Sequence, residues 1–248
     1  MTRLVLLGSL GVAVDCLEWL LTCPDYEVVG VVCSNEPLSA WRRAVHDRNM
    51  NDYIQSMSIP RLSLDDLPAV EADLGICVRF HQVLRTRHIN SFKQGVINLH
   101  GAPLPEMRGS MCDAAALLEG RTSYGTSLHW VNEGIDEGDI LQVKRFPIES
   151  NHTVYDLFEL SNRYGLELIQ QCLPLLVSGE LEATPQSVAA QALGIEPKTY
   201  RVKQVIAMKE VHENAGSDVI HRTARAFQFP GHEPAYLNTE AGRIYVSV

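Results

Sequence analysis

The first hundred residues alternate short apolar runs with helical stretches, and this rhythm restricts the fold more than any other property of the chain. Leu4–Leu7 reads as a strand. Gly8-Ser9-Leu10-Gly11 then turns into a helix over about Val12–Leu21, stopped by Pro24. Glu27–Cys33 is a Val-rich run without polar alternation, the pattern of a strand buried on both faces. A weakly patterned helical stretch near Leu38–Tyr53 comes next, then strands at Leu74–Val78 and Gly95–His100. Strands separated by helices point to a parallel, doubly wound sheet with ligands at the carboxyl ends of its strands. His100 and the Gly8-Ser9 turn then share one rim.

Beyond His100 the pattern changes. Met111–Glu119 reads as a short helix stopped by Gly120, and Tyr124–Val131 and Asp139–Phe146 as strands. Thr153 with Asp156 three residues on makes a capping-box-like start to a long helix. One face of that helix carries Val154, Leu157, Phe158, Ser161, Tyr164 and Leu168, and Pro174 interrupts or kinks it near its end. Residues 181–200 read as a polar loop with Pro185 and Pro197. A helix near Ser217–Phe227 precedes a closing hairpin of Ala235–Leu237 and Arg243–Val246. The expected fold is α/β, a Rossmann-like doubly wound, mostly parallel sheet with a small C-terminal appendage ending in a β-hairpin. The expected division is an N-terminal domain over 1–180 and a small subdomain over 181–248.

Composition narrows the partners. The net charge is −9 and no Lys/Arg stripe is present, so a nucleic-acid partner is not expected. No apolar run reaches 18 residues, and Gly8, Gly11, Asp15 and Glu18 break the resemblance of the N-terminus to a signal peptide. The six cysteines are scattered, with no metal-ligand spacing to a histidine, so no metal is expected. These features describe a cytoplasmic protein acting on a small molecule.

The chemistry concentrates in Asn98-Leu99-His100 and the forty residues after it. Alternate residues of a strand share a face, so Asn98 and His100 present an amide donor and an imidazole together. That pair suits acyl transfer; it equally suits a strand end satisfying its own backbone. Asp136 lies 38 residues after Asn98, in a glycine-containing turn where an aspartate can also serve only its own backbone. His129 is either a partner of Asp136 or a satisfied core histidine. Gly8-Ser9-Leu10-Gly11 is too short for a dinucleotide fingerprint and reads as a turn that lets substrate approach the backbone.

Asn98-Leu99-His100, Pro103-Leu104-Pro105, Arg108-Gly109, Gly125-Thr126-Ser127-Leu128-His129 and Asp136-x-Gly138-x-Ile140, in that order, resemble the formyltransferase family that uses N10-formyltetrahydrofolate. The family includes enzymes acting on glycinamide ribonucleotide, on methionyl-tRNA and on nucleotide sugars. The similarity covers about residues 1–180 well and continues weakly through Pro185-Gln186, Thr199-Tyr200, Arg225-Ala226 and Phe229-Pro230-Gly231. After the histidine this chain has Gly101-Ala102-Pro103-Leu104-Pro105, not Ser-Leu-Leu-Pro, and that departure is similar to the nucleotide-sugar branch. A tRNA enzyme also calls for a cationic C-terminal domain, which this acidic chain lacks.

The resemblance implies Asn98, His100 and Asp136 as the catalytic triad, with Asp136 either holding His100 in its cationic form or itself taking the amine proton, directly or through water. It implies a pterin pocket against Phe80, His81, Gln82 and Val83, closed by the Asp136 loop with Gly138. It implies a nucleotide sugar against Gly8, Ser9, Leu10, Pro103, Leu104, Pro105 and Arg108, with Arg108 on the pyrophosphate or in a structural ion pair. The implied acceptor is dTDP-4-amino-4,6-dideoxyglucose, for surface-polysaccharide synthesis, or its 3-amino isomer. The implied assembly is a homodimer; Tyr236, Tyr245 and Val246 of the last hairpin, where exposed, are candidate contacts. The rivals are a glycinamide ribonucleotide formyltransferase, a non-catalytic nucleotide-binding module and a nicotinamide-dependent oxidoreductase.

Overall fold

The structure, a computed structural model, describes residues 1–248. Its first half runs β1 (Thr2–Leu7), α1 (Gly11–Thr22), β2 (Tyr26–Val32), α2 (Ala40–Ala44), α3 (Met50–Ser56), β3 (Arg61–Leu62), β4 (Leu74–Val78), α4 (Thr86–Ile89) and β5 (Val96–His100). The second half runs β6 (Met107–Gly109), α5 (Cys112–Leu118), β7 (Ser123–Trp130), β8 (Ile140–Pro147), α6 (Val154–Val177), α7 (Gln186–Leu193), β9 (Lys198–Tyr200), α8 (Val202–Ile206), α9 (Ser217–Ala226), β10 (Ala235–Thr239) and β11 (Gly242–Val246).

Seven strands form the main sheet in the order β3-β2-β1-β4-β5-β7-β8. β1 to β5 are mutually parallel, whereas β7 and β8 add as an antiparallel pair. Both faces of the parallel part are covered. Leu4 and Leu6 pack with α1 and α6 on one side, while Val5 and Leu7 pack with Leu67, Leu84 and Phe92 on the other. This is why β1 and β4 read as unbroken apolar runs.

α6 starts as the sequence predicts, with Thr153 and Asp156 capping each other, and runs through Pro174 to Val177. Two stretches differ from expectation. The helix near Leu38–Tyr53 is two short helices, because His46 takes a φ of 53° between them. The region read as a loop over 181–200 contains α7 and β9, and β9 pairs with β6. Its polar surface hides this order: Gln186, Ala190 and Tyr200 face inward while most neighbouring side chains face water. Tyr200, Val205, Val211, Ala226, Phe227 and Ala235 share one apolar cluster with α5, Tyr124 and Leu157.

Candidate active site

Asn98 and His100 lie where β5 passes from core to cleft. Ile97 and Leu99 join the cluster under α1 and α6, so by strand alternation Val96, Asn98 and His100 point to the opposite face. In the antiparallel β5–β7 register Asn98 stands opposite His129 and His100 opposite Ser127. Directly paired residues share a face, and Asn98 Nδ2 lies 3.0 Å from His129 Nε2. His129 Nδ1 lies 2.7 Å from the Trp130 carbonyl. A carbonyl accepts only, so Nδ1 carries the hydrogen and Nε2 accepts from Asn98. One amide N–H of Asn98 is then left over. His129, buried at 2% exposure, is thus the residue that fixes the amide, and Nε2 is also 3.6 Å from Asp136 Oδ1.

Asp136 sits in the β7–β8 connection with a φ of 53°, a conformation that aspartate tolerates better than most residues. Its Oδ2 accepts the Gly109 N–H at 2.8 Å and stands 3.5 Å from His100 Nδ1. Gly138 completes the turn; a Cβ there would lie 1.8 Å from the Trp130 carbonyl oxygen. Burial opposes ionisation of Asp136, but in the acid range where it titrates the protonated imidazoles of His100 and His129, with the Gly109 N–H, overcome it and lower its pKa to about 2.

His100 departs from expectation. Burial lowers its pKa below 6.5, outweighing the Asp136 carboxylate, which acts to raise it. A resting cation is therefore not what this pocket favours. Its Nε2 lies 2.8 Å from the Met107 carbonyl, so that hydrogen is committed and Nδ1, facing Asp136, is the free acceptor. The site combines a fixed amide donor, a neutral proton acceptor and a permanent anion, a set suited to moving an acyl group onto an amine.

These groups open onto a cleft of about 510 Å³. Phe80, His81, Gln82 and Val83 line it, as do Val131–Asp136. Leu10, Arg79, Ser110, Met111, Asp113, Tyr124 and Phe158 also line it. Arg79, at a φ of 52°, is held by Ser161 Oγ and Asn162 Oδ1, both at 2.9 Å, and lies over the Phe158 ring. Burial raises the Asp113 carboxyl, with Arg79 acting against the rise. No group of His, Cys, Asp and Glu is arranged to hold a metal, and no helix is long and apolar enough to cross a membrane.

Several residues expected on the substrate lie elsewhere. Of the Gly8-Ser9-Leu10 turn, Leu10 alone reaches the cleft. Gly8 is packed so that a Cβ would meet the Val78 carbonyl at 2.6 Å, and Ser9 is buried, accepting from the Ser34 N–H. Pro103, Leu104 and Pro105 are interior, with a cis bond between the last two, and Ser127 Oγ bonds the Leu104 N–H and the Ala102 carbonyl. Arg108 donates to Gln186 Oε1 at 2.9 Å and lies 3.5 Å from Glu137, so it takes the structural alternative. Gly138 backs the Asp136 turn without lining the cleft. Proline, leucine and glycine in a loop carry no sequence mark separating interior from wall. His129, by contrast, could be found from the antiparallel register that sets it opposite Asn98.

An α/β sheet that brings Asn98, His100 and the loop residue Asp136 to one cleft is compatible with acyl transfer. The chain belongs to the formyl transferase family, whose model matches residues 28–172. A methionyl-tRNA formyltransferase of Listeria monocytogenes is 30% identical over 195 residues, covering 75% of this chain but 62% of its own length. Two solved structures share the fold. A 4-N formyltransferase from Francisella tularensis has a TM-score of 0.81 at 16% identity, covering 100% of this chain and 97% of its own. An N-formyltransferase from Helicobacter canadensis, in complex with folinic acid and dTDP-3-aminofucose, has a TM-score of 0.76 at 22% identity, covering 92% and 81%.

Proposed function

We propose that this protein transfers a formyl group from N10-formyltetrahydrofolate to the amine of a nucleotide-linked amino sugar, dTDP-4-amino-4,6-dideoxyglucose being the acceptor to test first. The observation that carries it is the convergence of Asn98, His100 and Asp136, with His129 behind them, on one cleft. The family match supports formyl transfer. The likeness of fold to sugar N-formyltransferases, and to the N-formyltransferase complexed with dTDP-3-aminofucose, supports a sugar acceptor. So does the net charge of −9, which offers little to a polyanionic tRNA.

The folate supplies a formyl group activated on N10, and Phe80–Val83 with Val131–Ile135 make a wall suited to a flat heterocycle. Asn98 donates its remaining N–H to the formyl oxygen as charge develops there. His100 takes the proton of the attacking amine on Nδ1 and passes it to N10 as the bond to the formyl carbon breaks. Asp136, already ionised, stabilises the imidazolium so formed. The acceptor occupies the part of the cleft with Arg79 and Asp113. We place this activity in the cytoplasm, for surface-polysaccharide synthesis, in a homodimer joined at the hairpin, where Tyr245 is exposed and Tyr236 and Val246 are half-buried.

The test is mass spectrometry of amino-sugar nucleotides and glycinamide ribonucleotide, each incubated with enzyme and N10-formyltetrahydrofolate. Gain of one formyl group on a sugar amine is expected. Gain on the ribonucleotide alone overturns the acceptor, and failure to bind a folate analogue in calorimetry overturns the activity. Light scattering at micromolar concentration should give twice the chain mass.

A further inference from the structure

Asp136 holds a left-handed backbone conformation, which must be imposed by its surroundings. One side chain does much of this. Gln186 Nε2 donates to the Asp136 carbonyl at 2.7 Å and to the Gly138 carbonyl at 2.8 Å, gripping the turn on both sides of Glu137. Gln186 Oε1 accepts from Arg108 Nε, and Arg108 reaches back to Glu137 at 3.5 Å. The next residue after Arg108, Gly109, donates its N–H to the Asp136 carboxylate. Thr184, two residues before Gln186, pairs with Ile140 through both backbone bonds, at 2.8 and 2.7 Å. Gln186 is itself 4% exposed and does not line the cleft.

We infer that Gln186, oriented by Arg108, is a positioning residue for the proposed reaction: it sets the turn that aims the Asp136 carboxylate at His100 and His129. The carboxamide matches its setting atom for atom, with two N–H donors for two carbonyls and one oxygen for the guanidinium. Glutamate at 186 would keep the Arg108 bond but turn an oxygen toward two carbonyl oxygens. Methionine would keep the volume and lose all three bonds. This inference rests on the formyl-transfer reading for its kinetic consequence, but its geometric consequence can be read without turnover.

His100 faces Asp136, His129 and Arg79, and of these the carboxylate is the group that raises its pKa. A turn released by Gln186→Met moves that carboxylate away, so the His100 titration should move to lower pH. The experiment is an NMR pH titration of isotope-labelled histidines in the ligand-free protein, with His100 assigned by His100→Gln. It compares wild type, Gln186→Met, Gln186→Glu and Arg108→Met, with kinetics alongside. Expected are a downward shift of His100 in Gln186→Met and a smaller one in Arg108→Met. In turnover, kcat should fall about ten- to a hundred-fold in both Gln186 variants, with KM for both substrates little changed.

A folded Gln186→Met protein with an unmoved His100 titration overturns the inference, as does a loss confined to melting temperature. If Gln186→Met does not fold, Arg108→Met decides on the same criteria. A raised acceptor KM with unchanged kcat in Arg108→Met would place Arg108 on the substrate and overturn its role here. Wild-type protein inactive on every acceptor, with the His100 shift still seen in Gln186→Met, would leave the positioning in place and overturn only the proposed function.

Discussion

Two glycine-punctuated turns leave strands of this molecule, and they do opposite things with their polar groups. The Gly8–Gly11 turn is closed by its own neighbours. Asp47 Oδ1 accepts the Gly11 N–H at the start of α1, and Arg42 pairs with Asp47 while donating to the Ser9 carbonyl. An internal carboxylate thus occupies the helix terminus where an anionic ligand could bind. The Asp136 turn is gripped from behind, and its carboxylate is aimed at two imidazoles beside the cleft. Glycine spacing marks both turns equally; the partners of the backbone decide which is structural and which is chemical.

The widest separation between them should come from removing the carboxylate or the imidazole at the second turn. Asp136→Asn and His100→Ala should each reduce formyl transfer by about 10²–10⁴-fold, the usual reach of a positioned acid–base group. Single-turnover assays of the purified variants check this, with circular dichroism to verify the fold. Near-wild-type rates in either would remove the second turn from the chemistry and with it the contrast. Asn98→Ala should cost about 10²–10³-fold as the loss of one oxyanion donor. His129→Phe, which leaves Asn98 in place but unheld, should cost about tenfold.

The pH dependence sharpens the same contrast in sign. His100 must be neutral to take the amine proton, and its pKa lies below 6.5. The kcat/KM of the free enzyme should therefore hold at neutral pH and fall as pH drops through that lowered pKa. Asp136 stays ionised down to about 2, so it does not set this limb. It does raise His100, and the residual activity of Asp136→Asn should show its acidic limb at lower pH than wild type. Activity that instead falls as pH rises through that pKa would mean that protonated His100 is the active form.

How far the sequence reaches also divides along this line. The parallel strands are legible because β1 and β4 are buried on both faces and cannot tolerate polar alternation. Asn98, His100 and Asp136 are legible as an ordered set of residue types, and the structure brings them together. α7 and β9 are not legible, since short elements with one inward residue in three or four leave little periodicity. Gln186 is invisible for a related reason. Its role depends on a contact with carbonyls 48 and 50 residues away, and a carbonyl has no side-chain identity to read. The charge state of His100 reads wrongly from sequence because a neighbouring carboxylate shows there and the depth of burial does not.

The smallest effect on catalysis should come from the first turn. Asp47→Ala removes the cap on the Gly11 N–H and leaves Arg42, whose side chain is 11% exposed, without its carboxylate. Loss of a helix cap costs about 0.5–2 kcal/mol, and for a chain of this size that lowers the melting temperature by roughly 1–8 °C. Turnover per folded molecule should stay within about twofold, because Asp47 contacts neither the cleft nor the Asp136 turn and removing a cap that far from the acid–base groups leaves their barrier unchanged. Calorimetric melting together with active-site titration separates the two quantities. A large loss of kcat with an unchanged melting temperature would show that the Gly8–Gly11 turn touches the substrate after all, and the two turns would then be two walls of one site.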